Sequence, residues 1–113
     1  MGLQAVIAAV CAWMAARGFT QVTVERRCKQ PHCVTAVSPE GRTVIVLRPR
    51  LMDKREYTRL LTRVERAQRN YDVAYVTMTR GNSFVFRQHL TRLGIGLLTI
   101  TGYGTVIEEI VPV

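Results

Sequence analysis

A single α/β domain, a mixed sheet flanked by helices, is the fold class that this sequence predicts, and three observations predict it. The first is size and composition: 113 residues with 48% hydrophobic and 21% charged residues suffice for one buried core, not two. The second is the second half of the chain, where helical stretches alternate with the apolar runs Val73 to Thr79 and Ile95 to Thr101. Such alternation implies parallel strand pairing. The third is a hairpin signature, Cys33 to Val37 and Thr43 to Leu47 around Ser38-Pro39-Glu40-Gly41, with Pro and Gly where a turn uses them.

The elements follow in order. Helix one runs from about residue 3 to Arg17 and stops at Gly18, the favoured residue just past a helix end. At about 100° per residue, Leu3, Val6, Ile7, Val10, Cys11, Trp13 and Met14 share a bulky face that must be core. Ala5, Ala8, Ala9, Ala12, Ala15 and Ala16 form the other face. That face suits either the close approach of a second copy in a homodimer or simple exposure of the best helix former. The apolar run has no basic segment before it and is shorter than the roughly 18 residues that span a bilayer, so no membrane segment is expected.

Thr20 to Glu25 alternates as a strand, and residues 26–32 read as a polar connection. The hairpin follows. Its second strand, Val44-Ile45-Val46-Leu47, is apolar on both faces and is expected at the centre of the sheet. Helix two runs from about Asp53, an N-cap residue type, to Asn70. Asn82 caps a third helix ending at Leu93-Gly94, and Gly102-Tyr103-Gly104 turns the chain into a last strand, Val106 to Val111. The predicted order is α-β-β-β-α-β-α-β-β over one domain, residues 1–113.

Charge is the compositional outlier. The net charge is +8, and of the 16 basic residues only Lys29 and Lys54 are Lys. This excess favours polyanionic partners, nucleic acid first. Three cysteines, Cys11, Cys28 and Cys33, with no signal peptide, point to an intracellular, cytoplasmic setting. Helix two concentrates the charge: Arg55, Arg59, Arg63, Arg66 and Arg69 fall within an arc of roughly 120°. Tyr57, Leu60, Leu61, Val64 and Gln68 lie opposite and are expected to pack on the sheet. A row of guanidinium groups suits the phosphates of a nucleic-acid backbone. The bland alternative is a solvated face, with Glu56–Arg59 and Glu65–Arg69 as intrahelical pairs. Two acids cannot neutralise five arginines, so a net positive stripe remains.

The element order, the Gly18-Phe19 step after helix one, the hairpin, Tyr71 to Val76 and Leu90 to Leu98 together resemble the PD-(D/E)xK nuclease superfamily. That superfamily includes archaeal Holliday junction resolvases and uncharacterised bacterial nuclease-like proteins. The resemblance implies a restriction-endonuclease-like core. It also implies a divalent metal held by an acid at the start of the first hairpin strand and by a Glu-x-Lys on the second, with Lys assisting the attacking water. Here the first position holds Cys33, or His32 with the register moved by one, and the Glu-x-Lys stretch reads Val46-Leu47-Arg48. Helix one carries no acid. No catalytic residue, metal site or cofactor is therefore expected.

Arg48 and Arg50, with Arg26, Arg27 and Lys29, are expected to make a basic cluster near the degenerate cleft, so that a cutting groove becomes a gripping one. On that expectation Arg48→Glu with Arg50→Glu weakens DNA binding and flattens its salt dependence. The leading reading is a catalytically degenerate nuclease-fold protein that binds DNA or a nucleoprotein partner. The alternatives are an active nuclease with a site migrated to Glu25 and Asp53, and an adaptor whose Arg face meets an acidic protein. Cys28, His32 and Cys33 lack the spacing of a zinc motif, and Gly94-Ile95-Gly96 reads as turn and packing glycines.

Overall fold

The computed structural model describes residues 3–27, 30–48 and 54–113. The elements are α1 (Leu3–Ala16), β1 (Thr20–Arg27), β2 (Gln30–Val37), β3 (Thr43–Leu47), α2 (Lys54–Asn70), β4 (Val73–Thr79), α3 (Arg80–Leu93), β5 (Gly96–Ile100) and β6 (Val106–Ile110). The α/β class and the element order match the sequence reading. Boundaries differ: β2 begins at Gln30 and takes up part of the expected connection, and α3 begins at Arg80 rather than after Asn82. Asp53, the expected cap of α2, lies outside the described residues.

The six strands form one mixed sheet in sequence order, β1-β2-β3-β4-β5-β6. The β1–β2, β2–β3 and β5–β6 pairs are antiparallel. The β3–β4 and β4–β5 pairs, whose connections contain α2 and α3, are parallel. The apolar β3 lies in the sheet interior, buried from Val44 to Leu47, as strands covered on both faces are.

Two apolar clusters sandwich the sheet. On one face Leu60, Val64 and Ala67 of α2 and Leu90 of α3 pack on Ile45, Leu47, Val76 and Leu97. On the other, Ile7, Val10 and Met14 of α1 pack on Val34, Val44, Val46, Tyr75 and Leu98. Each fully buried aliphatic side chain stabilises the fold by about 1.5–3 kcal/mol relative to exposure. The bulky face of α1 is thus core, and Ala5, Ala8, Ala12, Ala15 and Ala16 are exposed. Among the described residues no helix is long and apolar enough to cross a membrane.

Glycine ends α1 and α3 in the same way. Gly18 sits at φ 79° and Gly94 at φ 72°, conformations that an L side chain resists. Gly18 N donates to the Ala15 carbonyl and Phe19 N to the Met14 carbonyl; Gly94 N and Ile95 N repeat the pattern on Thr91 and Leu90. These paired bonds satisfy the last helical carbonyls. They also turn Phe19 back against Trp13, with ring centroids 5.8 Å apart.

Asp72 clasps the entry of β4 to that of β3. Its Oδ2 accepts hydrogen bonds from Thr43 N at 2.9 Å and Thr43 Oγ1 at 3.1 Å, and its own N donates to Thr43 Oγ1 at 3.0 Å. The Thr43 backbone bond, then its hydroxyl, hold the Asp72 carboxyl below its ordinary value of 3.8. A carboxyl with a lowered folded-state pKa stabilises above its unfolded value and loses that contribution as pH falls through the folded one. Asp72→Asn should therefore lower the melting temperature at pH 7, and in a thermal-melt series the difference should shrink as pH falls below the ordinary carboxyl value and through the lowered folded-state one.

Candidate nucleic-acid interface

The arginine stripe of α2 is real but narrower than its periodicity suggests. Arg59, Arg66 and Arg69 are exposed, over about 15 Å of helix. Glu65 is the acid exposed among them. Arg63 is half-buried, and its Nη1 donates to the Arg48 carbonyl at 3.2 Å. The helix is rolled by roughly 45° from the expected orientation. Ala67 is buried with Leu60 and Val64, whereas Gln68 is exposed and donates to the Leu93 carbonyl at 2.6 Å. Sheet packing decides that roll, because small Ala67 lets the helix sit close where Gln68 cannot. The side chain of Arg55 is not among the described ones.

The Gln68–Leu93 bond brings the C-terminal ends of α2 and α3 together, and Arg92 in the last turn of α3 is exposed there. Periodicity along α2 could not find Arg92, since it comes from another helix. Arg66, Arg69 and Arg92 make no ion pair among the described residues, so their charge stands open to a polyanion.

The second expected cluster is corrected in part. Arg48 is only 7% exposed, so it is not a surface group offered to phosphates. Its neighbour Arg50, and Lys29, lie outside the described residues; Arg26 is exposed. Arg48→Glu would put a carboxylate where a buried guanidinium sits, and burying a charge without its partners is costly. That substitution alone should therefore lower the urea midpoint of unfolding, whatever it does to nucleic-acid binding.

The three degenerate positions do not share one cleft. Antiparallel register sets Cys33 opposite Leu47 and Val34 opposite Val46. Adjacent residues of a strand point to opposite faces, so Cys33 and Leu47 pack toward α2 and Val46 packs toward α1. Val46 is 1% exposed in an apolar surround. Cys33 meets Glu25, its partner in β1, with Sγ donating to Oε2 at 3.5 Å. Burial, then Glu25, push the Cys33 thiol up to about 12, so it stays protonated at neutral pH and is no nucleophile. Arg63 lies close enough to pull that value down in part, and Tyr71, raised by burial and then by Glu25 and Cys33, completes the group. The Arg63 guanidinium near Cys33 disfavours a cation there. Asp53, the other half of the migrated-site alternative, lies outside the described residues. Among the described residues no three His, Cys, Asp or Glu side chains gather as metal ligands.

No family model matches this chain. Nor does any curated protein or solved structure show significant similarity to it. The functional reading therefore rests on the chain's own residues.

Proposed function

We propose that this protein is a non-cutting nucleic-acid-binding domain of nuclease-like outline that grips the backbone, DNA by preference, through the outer face of α2. One observation carries the reading: Arg59, Arg66 and Arg69 stand exposed along one helix face, with Arg92 beside its C-terminal end, in a chain of net charge +8. A straight row of guanidinium groups meets successive phosphates and carries no base-reading information, so the binding is sequence-tolerant. The nuclease-like outline draws support from the α-β-β-β-α-β-α-β-β order and from a mixed sheet covered by helices on both faces. Loss of cutting draws support from Val46, an apolar residue buried at the position where the nuclease resemblance implies a metal-binding acid.

Fluorescence anisotropy with random duplex DNA over a salt series tests this. The expected result is binding that weakens steeply as salt rises, because each neutralised phosphate releases condensed counterions. Equal affinity for polyglutamate would favour the acidic-protein adaptor instead. Magnesium- or manganese-dependent cleavage by the wild-type chain, abolished by Glu25→Ala, would replace the reading with a nuclease whose site has moved.

A further inference from the structure

A cleft of about 550 Å³ opens between the end of α1, the β2–β3 turn and the end of β6, on the sheet face that α1 covers. Phe19, Val44, Val73 and Val111 supply apolar wall, and Arg17 and Arg42 supply charge. Both arginines are held from behind. The Arg17 guanidinium lies over the Trp13 ring, 4.5 Å from its centroid, and its Nη1 donates to Glu108 Oε1 at 3.4 Å. Glu108 is itself fixed by the Tyr75 hydroxyl, which donates to Oε2 at 2.6 Å. Arg42 Nη2 donates to the Asp72 carbonyl at 3.3 Å.

A guanidinium has five donors, and among the described residues each of these two makes a single hydrogen bond. The remaining donors are oriented in advance, which reduces the entropy cost of gripping an oxyanion. The two acids of the lining are both engaged. Glu108 takes Tyr75 and Arg17, and the Glu40 carboxyl is held below its ordinary range by its own backbone N–H and then by the Ser38 hydroxyl. The volume suits one small ligand.

We propose that this cleft binds a small organic anion, a carboxylate or phosphate joined to a flat apolar body, with Arg17 and Arg42 on the oxyanion and the body against Phe19 and Val73. The site lies on the opposite sheet face from α2 and does not depend on the backbone-gripping reading. The same chemistry has two sources, a free aromatic acid or a nucleotide.

Amide chemical-shift titration separates them, using 2-naphthoate and adenosine 5′-monophosphate as probes and neutral 2-naphthamide as control. Saturable shifts at Phe19, Val44 and Val73 are expected with at least one anion, and binding of the neutral amide should be at least roughly tenfold weaker. Response to the mononucleotide alone assigns a nucleotide, response to 2-naphthoate alone assigns an aromatic acid, and response to both assigns the shared chemistry. Arg17→Gln and Arg42→Gln should each raise Kd roughly ten- to a hundredfold. Glu40→Gln should lower it, and Arg87→Gln, whose partner Glu109 is outside the cleft, should leave it unchanged. Thermal melts of each variant confirm folding. The proposal is overturned if neither anion shifts those amides, if 2-naphthamide binds equally well, or if folded Arg17→Gln and Arg42→Gln variants bind as the wild type does.

Discussion

Replacing Arg59, Arg66 and Arg69 together by Gln should lower affinity for duplex DNA by two to three orders of magnitude near 0.1 M salt, with folding intact. The size follows from counterion release. Each neutralised phosphate contributes about 0.9 to the slope of log affinity against log salt, so three lost contacts flatten the slope by about 2.7. All three side chains are exposed on α2, so their removal opens no cavity. Gln is a good helix former and keeps the helix. The slope is the decisive readout, since a variant that merely unfolded would lose binding at every salt concentration. Arg63→Gln makes a useful contrast, because that side chain is half-buried against the Arg48 carbonyl and should alter stability more than slope. An unchanged slope in the triple variant would mean that α2 does not meet phosphates.

Gly96→Ala should destabilise the fold by about 1–3 kcal/mol, as overpacking of a well-filled site does. Gly96 pairs with Tyr75 across the β4–β5 step, and the tyrosine ring lies on its backbone. An added Cβ would stand 2.4 Å from Tyr75 Cδ1, 2.6 Å from Tyr75 Cε1 and 2.9 Å from Pro112 Cδ. The ring has little room to yield. It meets Trp13 edge-on at a centroid distance of 5.7 Å, and its hydroxyl is bonded to Glu108. For a chain of this size the loss corresponds to a melting temperature lower by roughly 5–20 °C. Double-mutant analysis isolates the ring's share: in a Tyr75→Ala background the same change should cost less, since both ring contacts are gone and only the 2.9 Å approach to Pro112 Cδ remains. Equal cost in both backgrounds would place the effect at Pro112 or in the β5 backbone instead.

Local patterns gave much of this fold. The helix-ending glycines Gly18 and Gly94, the β2–β3 turn and the interior apolar β3 follow from short-range sterics and hydropathy, and each sits where its sequence neighbourhood requires. Gly96 was legible as a packing glycine, but not its partner, because Tyr75 reaches it only through the parallel register of β4 and β5. The site was less legible. Periodicity located the arginine face of α2, yet Arg63 turned inward and Gln68 outward, since the roll of a helix is set by the shape of the sheet beneath it. Arg48 looked like a surface cation and is buried. The cleft between Arg17 and Arg42 was invisible, its two arginines being held by Glu108 and by the Asp72 carbonyl, each from a distant part of the chain.

The sequence by itself determined the α/β class, the order of the elements, the strong positive charge and the absence of an acid at Val46 and along α1, because these are properties of composition and local pattern. Tertiary structure alone decided which charges face solvent and which residues meet. Strand register set Cys33 and Val46 on opposite faces of the sheet, and helix packing left Arg59, Arg66 and Arg69 exposed while half-burying Arg63. Both choices rest on contacts between segments far apart in the chain, where the fit of side chains across layers, rather than the preference of any one segment, has the lower free energy.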